Sequence, residues 1–143
     1  MQFRLVLLTA ALAATACSAA GPLPIAAGDT CFRCRRIVDD PRLAAEMIDP
    51  GGRAFKFRTA LCLATYLKQH PDDSGRVYVT DFTTGRMMKT SAATFVPTMV
   101  GKGRDRTQEF VAYQASADAK AAAASERTQP TDWQGVLAAA PTN

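Results

Sequence analysis

The sequence predicts an α+β fold, indicated by two local patterns and the turns between them. Residues 60–69 repeat apolar side chains at intervals of three and four, which is typical of an amphipathic helix. Residues 76–82 follow the two-residue alternation of a β-strand. Short turn sequences such as residues 49–52 separate these segments. The length of 143 residues is within the usual range for one domain.

The first half of the domain is predicted in the order β-β-α-β, preceded by one short strand. The candidate strands are residues 35–38, 43–48, 53–57 and 76–82. The Asp-Pro-Gly-Gly turn at residues 49–52 joins two of them into a hairpin. Thr59 is a good N-cap for the helix over residues 60–69. The buried stripe of this helix is predicted to be Ala60, Leu63, Ala64 and Leu67.

The second half also mixes strands with one late helix. Its candidate strands are residues 86–90, 95–100 and 109–114, with a helical or turn segment at residues 91–94. Residues 115–127 predict a helix because they are rich in alanine. In the C-terminal tail, residues 128–143, Thr131 and Gln134 match a capping box for a short helix ending near Ala139. This helix either docks on the domain or belongs to a flexible, frayed tail.

Residues 1–16 have the features of a signal peptide. Arg4 is followed by an apolar run, residues 5–12, that is too short to remain across a bilayer. The small residues before Cys17 resemble a lipobox, so we expect cleavage before Cys17 and lipidation of that cysteine. Cleavage by ordinary signal peptidase after Ala16 or Ala20 is the alternative. The protein is therefore expected in the periplasm, either anchored to a membrane by lipid or soluble.

The rest of the chain is predicted to form a tether, residues 17–28, and a domain, residues 29–127. The tether is rich in Ser, Ala, Gly and Pro, which is typical of a flexible linker.

The formal net charge is +4, and basic residues alternate with acidic ones along the domain. Because no basic stripe is present, the sequence argues against nucleic-acid binding.

Three cysteines are candidate metal ligands: Cys31, Cys34 and Cys62. Once Cys17 is lipidated, this odd number of thiols cannot all pair within one chain in an oxidising compartment. The neighbouring arginines favour the thiolate form of Cys31 and Cys34, and the helix dipole favours that of Cys62. Thiolate and thioether ligands select Cu(I) over harder ions. The sequence therefore predicts a Cu(I) site.

Among the methionines, Met99 is the best candidate for a further ligand because it lies beside Pro97 and a Gly-containing loop. The single histidine, His70, is at the far end of the helix from Cys62, about 12 Å away at a rise of ~1.5 Å per residue. A closed zinc site of three cysteines and one histidine is therefore disfavoured.

Other interpretations of the same residues remain open. Cys31 and Cys34 are also spaced as a disulfide, which would make the protein a thiol–disulfide redox partner or a stapled lipoprotein that binds no metal. Cys62 is also compatible with a core thiol. An enzyme is not expected, because the only histidine has no catalytic motif around it and the turn at residues 39–41 follows the cysteine pair too soon for a thioredoxin-like helix.

The order of these features resembles that of the NosL family, the accessory lipoproteins of nitrous-oxide reductase. The resemblance covers about residues 28–125. Besides Cys17, the matching segments are residues 31–34, 40–45, 55–57, 61–67, 79–85, 92–96, 97–101 and 109–110. Residues 79–85 match the family's V-x-D-Y/F-x-T-G, and residues 97–101 match its P-M-G segment.

The resemblance implies a membrane-anchored Cu(I)-binding protein that delivers copper to nitrous-oxide reductase or a similar copper enzyme. It implies that a copper-exporting membrane transporter is a further partner, and that the fold consists of two small ββαβ-type units. The family's usual Cys-Gly-Met motif, whose Cys and Met bind Cu(I), aligns with Cys34, Arg35 and Arg36. Cys31 is therefore expected to replace the missing thioether, with Cys62 or Met99 as a third ligand.

Overall fold

The structure is a computed structural model that describes residues 21–142. The predicted signal peptide and the lipidated Cys17 lie outside the described residues. The strands are β1 (Ala45–Ile48), β2 (Ala54–Phe57), β3 (Arg76–Thr80), β4 (Met87–Lys89), β5 (Thr94–Val100) and β6 (Thr107–Tyr113). The α-helices are α1 (Ala60–Gln69), α2 (Ser116–Glu126) and α3 (Trp133–Ala139). Short 3-10 turns occupy Pro41–Leu43, Thr90–Ala92 and Gly103–Asp105. The α+β class is therefore confirmed.

The strands form two antiparallel sheets. The first has the order β2-β1-β3-β4, and the second consists of β5 and β6. The predicted hairpin is confirmed, with Met47 of β1 opposite Phe55 of β2. The first half of the chain is thus a ββαβ unit with one added edge strand, β4. The second half is a ββα unit followed by a single bridge, in which Thr131 pairs with Phe95.

The sheet of β5 and β6 separates two layers of core. One face contributes Phe95, Phe110 and Ala112 to the main core cluster, which also contains Cys31 and the apolar face of α1. The opposite face contributes Val96, Val111 and Tyr113, which pack against Ala119 and Ala123 of α2. Because side chains alternate along a strand, each residue of β5 can be assigned to one of these two layers.

Helix α3 docks on the domain, which resolves the alternatives left open for the tail. Val136 is fully buried in the main core, and the Trp133 ring lies 5.7 Å from that of Phe95. The Nζ of Lys68, in the last turn of α1, donates a 2.6 Å hydrogen bond to the carbonyl of Ala140. The N-cap is Asp132, whose side chain accepts from the Gly135 N–H. The predicted cap at Thr131 was one residue too early, because Thr131 pairs with Phe95 instead.

The packed part of the chain begins within the range that was predicted as a tether. Ile25 is buried against Val38 and Ala44, and the Gly28 N–H donates to the carbonyl of Val38 at 3.0 Å. The Leu23 N–H donates to a carboxylate oxygen of the buried Glu46 at 3.0 Å. Among residues 21–142, no helix combines the length and apolar character needed to cross a bilayer.

Asp81 joins the two sheets. One of its carboxylate oxygens accepts a 2.9 Å hydrogen bond from the Gln114 N–H at the end of β6, and the other accepts from the N–H and hydroxyl of Thr84. The side chain is buried, and burial by itself raises the pKa of a carboxyl group. The hydrogen bonds from Thr84 and Gln114 outweigh burial and lower the pKa of Asp81 below its ordinary value.

We predict that Asp81→Asn lowers the free energy of unfolding by roughly 2 kcal/mol, because hydrogen bonds to a buried charge are lost. A lowered pKa means that the carboxylate stabilises the fold above the pKa of the unfolded chain and loses this effect as pH falls through the folded value. The difference between wild type and variant should therefore be constant above about pH 5 and shrink below about pH 4. Urea denaturation at several pH values measures it.

The exposed Asp72 provides a matched control, and Asp72→Asn should leave the free energy of unfolding within about 0.5 kcal/mol of wild type. If the difference in the free energy of unfolding between wild type and Asp81→Asn grew as the pH was lowered, the stabilising role of the Asp81 carboxylate would be contradicted.

Candidate metal centre

Three thiols converge from two parts of the chain. Cys31 and Cys34 lie in the loop before β1, and Cys62 lies in the first turn of α1. The three sulfur atoms all lie within 4.8 Å of one another, and the Sγ atoms of Cys31 and Cys62 are 3.4 Å apart. All three are free thiols. The structure therefore brings together the three cysteines that the sequence nominated as ligands.

A closed turn brings Cys34 back towards Cys31. Thr30 and Ile37 form an antiparallel bridge, inside which the Cys31 N–H donates to the carbonyl of Arg36 at 2.9 Å. The Arg35 N–H donates in turn to the carbonyl of Cys31 at 3.0 Å. To close this turn, Arg35 adopts a left-handed conformation with φ of 61°. The strand predicted for residues 35–38 is therefore wrong: only Ile37 pairs, because the residues before it belong to the turn.

Phe32 anchors this turn on the domain. Its N–H donates a 2.7 Å hydrogen bond to the carbonyl of Lys56 in β2. Its ring packs edge-on against Phe55 at 4.7 Å, Tyr66 at 5.5 Å and Phe57 at 6.2 Å between centroids. Each such aromatic pair stabilises by roughly 0.5–1.5 kcal/mol beyond the area it buries. The contacts hold the turn against both β2 and α1.

The start of α1 fixes the position of Cys62. Thr59 is the N-cap, as predicted, and its hydroxyl oxygen accepts a 3.1 Å hydrogen bond from the Cys62 N–H. Burial raises the pKa of Glu109 on β6, and this rise is opposed by a hydrogen bond from Thr59 and by the charge of Arg58. The beginning of α1 therefore lies against β6.

A hydrogen bond between their sulfur atoms couples the thiols of Cys31 and Cys62. Cys31 is fully buried, and its hydrogen bond with Cys62 lowers the pKa of Cys31. The same hydrogen bond, together with burial, raises the pKa of Cys62. Arg33 lies beside the pair: its Nε donates to the side-chain oxygen of Gln69 at 3.3 Å, and its side chain opposes the rise in the pKa of Cys62. The arrangement thus favours the thiolate of Cys31 over that of Cys62.

The donor set fits a soft metal ion. With metal–sulfur bonds of about 2.3 Å, three sulfurs around a trigonal ion would lie about 4 Å apart. The cluster spans this distance, from 3.4 Å between two of the sulfurs to an upper limit of 4.8 Å. The cluster consists of thiols alone, which favours a soft ion. It can therefore hold a metal with small side-chain adjustments.

Met99 lies near the end of β5, opposite Gln108, and 44% of its surface is exposed. Alternation places it on the same face of the sheet as Phe95, which packs into the core cluster of Cys31. Its contribution as a ligand stays a prediction. His70 is the C-cap of α1 and stacks on Tyr66 with ring centroids 4.4 Å apart. Met47 is a buried core residue.

Sequence reasoning missed two features of the site. Cys31 contacts Cys62, 31 residues away in sequence, more closely than the Cys-x-x-Cys spacing suggested. Arg35 adopts a backbone conformation that side chains other than glycine rarely take. The second feature had a signal in the sequence, since the resembled family has glycine at the position aligned with Arg35.

The fold and the site together define an α+β protein of two antiparallel sheets that presents a three-thiol cluster able to bind metal. No protein-family model and no curated protein sequence matches the chain. The fold is similar to the crystal structure of the copper chaperone NosL from Shewanella denitrificans, with a TM-score of 0.63 and 14% sequence identity. The likeness covers 80% of this chain and 93% of that chain. At this identity it shows a NosL-like fold.

We predict that Arg35→Gly is more stable than Arg35→Ala by roughly 1 kcal/mol, because only glycine adopts the left-handed conformation without a steric penalty. At Arg36, which lies outside the left-handed region, the order should reverse, with glycine less stable than alanine by about 0.5–1 kcal/mol. Urea denaturation of the four reduced variants measures both differences. The same order at both positions would contradict the turn described here.

Proposed function

We propose that this protein binds one Cu(I) ion through Cys31, Cys34 and Cys62 and carries it to a copper enzyme. The observation that carries the proposal is the convergence of three free thiols within 4.8 Å of one another. The NosL-like fold supports it, because the similar solved structure is that of a copper chaperone.

The chemistry of the ligands favours Cu(I) over zinc. Structural zinc sites almost always have four protein ligands, usually including further thiolates or imidazoles. The cluster holds three thiols and neither an imidazole nor a carboxylate. Soft Cu(I) is well matched to thiolate ligands and to a thioether from Met99 as a further ligand. Met99 lies on the face of β5 that supports this role, and its exposure would let it leave the ion during transfer.

The different exposure of the three thiols supports transfer of the ion rather than permanent storage. Cys31 is fully buried, whereas Cys34 and Cys62 are partly exposed. A sulfur ligand of a partner protein can approach the exposed side and replace Cys34, while Cys31 still holds the ion. Such ligand exchange changes no oxidation state.

The proposal includes the setting implied by the sequence. Cys17 would carry a lipid that anchors the protein to a membrane in the periplasm; with cleavage elsewhere the protein would be soluble there. The copper would come from an exporting membrane transporter, and the client would be nitrous-oxide reductase or a similar copper enzyme. The supports for this setting are the signal-like residues 1–16 and the family resemblance.

We predict that the reduced protein binds one Cu(I) in competition with a Cu(I) chelator, and that Cys31→Ser, Cys34→Ser and Cys62→Ser each weaken the affinity by more than tenfold. The reason for this magnitude is that even the outer-shell partners of metal ligands contribute about 10- to 100-fold. Met99→Leu should cause a smaller loss. Competition titration, with stoichiometry from metal analysis, measures each affinity.

Met87→Leu is the matched control, because this thioether packs against the separate cluster of Ile25, Val38 and Ala44. Its Cu(I) affinity should equal that of wild type. Affinity that is weak and unchanged in all three serine variants would rule out the copper site. Turnover in a glutathione-linked disulfide assay would then favour a thiol–disulfide partner that uses the close pair Cys31 and Cys62.

A further inference from the structure

Three exposed residues, Arg35, Arg36 and Ile37, form a strip next to Cys34 in the chain, which we call the basic rim. Both arginines are exposed, and 57% of the Ile37 surface is accessible. The rim follows Cys34 directly in sequence, and Cys34 is one of the two partly exposed thiols. A partner that reaches Cys34 must therefore approach the rim.

The positive charge of the rim is not neutralised by nearby acids. The two aspartates that flank the turn are already paired: Asp29 with Lys56 at 2.7 Å and Asp39 with Arg58 at 3.4 Å. Among the described residues, Arg35 and Arg36 take part in no ion pair. The rim thus has two free positive charges at the entrance to the cluster.

The backbone of the rim is held in place before any partner binds. Two hydrogen bonds close the turn, one from the Cys31 N–H to Arg36 and one from the Arg35 N–H to Cys31. The bridge between Thr30 and Ile37 fixes its far end. A surface that is already ordered loses less conformational entropy on association. Arginine beside an exposed apolar side chain is also a composition enriched at protein interfaces.

We propose that the basic rim docks an acidic face of the protein that exchanges Cu(I) with this one. This inference rests on the proposed function and specifies the chemistry of the partner. The partner's acidic side chains surround a cysteine of its own and face Arg35 and Arg36, while an apolar residue covers Ile37. Opposite charges at the edge of an interface mainly speed up encounter and suppress wrong partners.

The exchange step explains why positive charge is useful at this position. The partner's cysteine loses a proton and forms a bond to Cu(I), and the bond from Cu(I) to Cys34 breaks. The released Cys34 thiolate takes up a proton, and copper stays Cu(I) throughout. While both proteins hold the ion, several thiolates share a single positive metal ion, so the complex is anionic. The two arginines reduce the electrostatic cost of that state.

An anionic membrane would also attract the rim, but it fits the geometry less well. A bilayer lying on Arg35, Arg36 and Ile37 would cover the entrance beside Cys34 and block the approach of a metal-exchange partner. The position of the rim at the thiol entrance therefore favours an acidic protein as the occupant.

The test uses Cu(I)-loaded protein and two synthetic acceptor peptides that share one Cys-x-x-Cys core, one flanked by glutamates and the other by lysines. We expect transfer to the glutamate peptide to be about tenfold faster at low ionic strength, and the difference to shrink as salt is added. The double variant R35E/R36E should reverse the preference. If the double variant folds poorly, the single variant R36E is used instead, because Arg36 lies outside the left-handed region. It should show part of the same effect.

The matched control is R86E/K89E, which makes the same change of charge near β4. The turn is bonded to β2, and β4 is at the opposite edge of the same sheet. It should keep the wild-type preference. Cu(I) affinity is measured first for every variant. Failure of wild type to bind Cu(I) would overturn the proposed function and this inference with it.

If wild type binds Cu(I) but transfers it to both peptides at equal rates, the docking inference alone is overturned.

Sedimentation with vesicles that contain phosphatidylglycerol tests whether the rim binds a membrane instead. If R35E/R36E abolishes vesicle binding and leaves the peptide preference unchanged, the rim is a membrane contact and the acidic-partner inference is wrong. If the preference reverses whether or not vesicle binding is lost, the inference stands.

Discussion

The packing of Phe32 against β2 and α1 is the interaction on which the rest of the site depends. Its ring contacts Phe55, Phe57 and Tyr66, and its N–H bonds to the carbonyl of Lys56. Because Phe32 is next to Cys31, these contacts bury Cys31 against the first turn of α1. The distance of 3.4 Å between the sulfurs of Cys31 and Cys62 is a consequence. This aromatic anchor thus positions Cys31 for its contact with Cys62.

The two sheets supply a rigid frame for this contact. Thr59 caps α1 and interacts with Glu109 of β6, so the helix that carries Cys62 is tied to the second sheet. Asp81 ties the first sheet to the end of β6. Cys62 therefore lies on a helix fixed at several points, and the partly exposed thiols are Cys34 and Cys62. Groups held in place in this way would lose less conformational entropy on binding an ion.

The turn from Cys31 to Arg36 differs in sequence from the family that the chain resembles. The resembled family has Cys-Gly-Met where this chain has Cys34, Arg35 and Arg36. The left-handed backbone at Arg35 gives the physical reason for a glycine there, and the arginine is kept at a cost of about 1–2 kcal/mol. In the proposed site the thiol of Cys31 would take the place of the thioether, and Arg35 and Arg36 add two exposed positive charges beside the cluster.

The sequence by itself determined the features that depend on neighbouring residues. The hairpin about residues 49–52, the Thr59 cap and helix α1 follow from turn chemistry, capping and periodicity, all of which act within a few residues. The three cysteines were also identified by their residue type. Only the tertiary structure decided that Cys31 contacts Cys62, that Asp132 caps a docked α3, and that residues 35 and 36 close a turn instead of forming a strand. These features depend on contacts between distant segments, whose energies local sequence patterns do not encode.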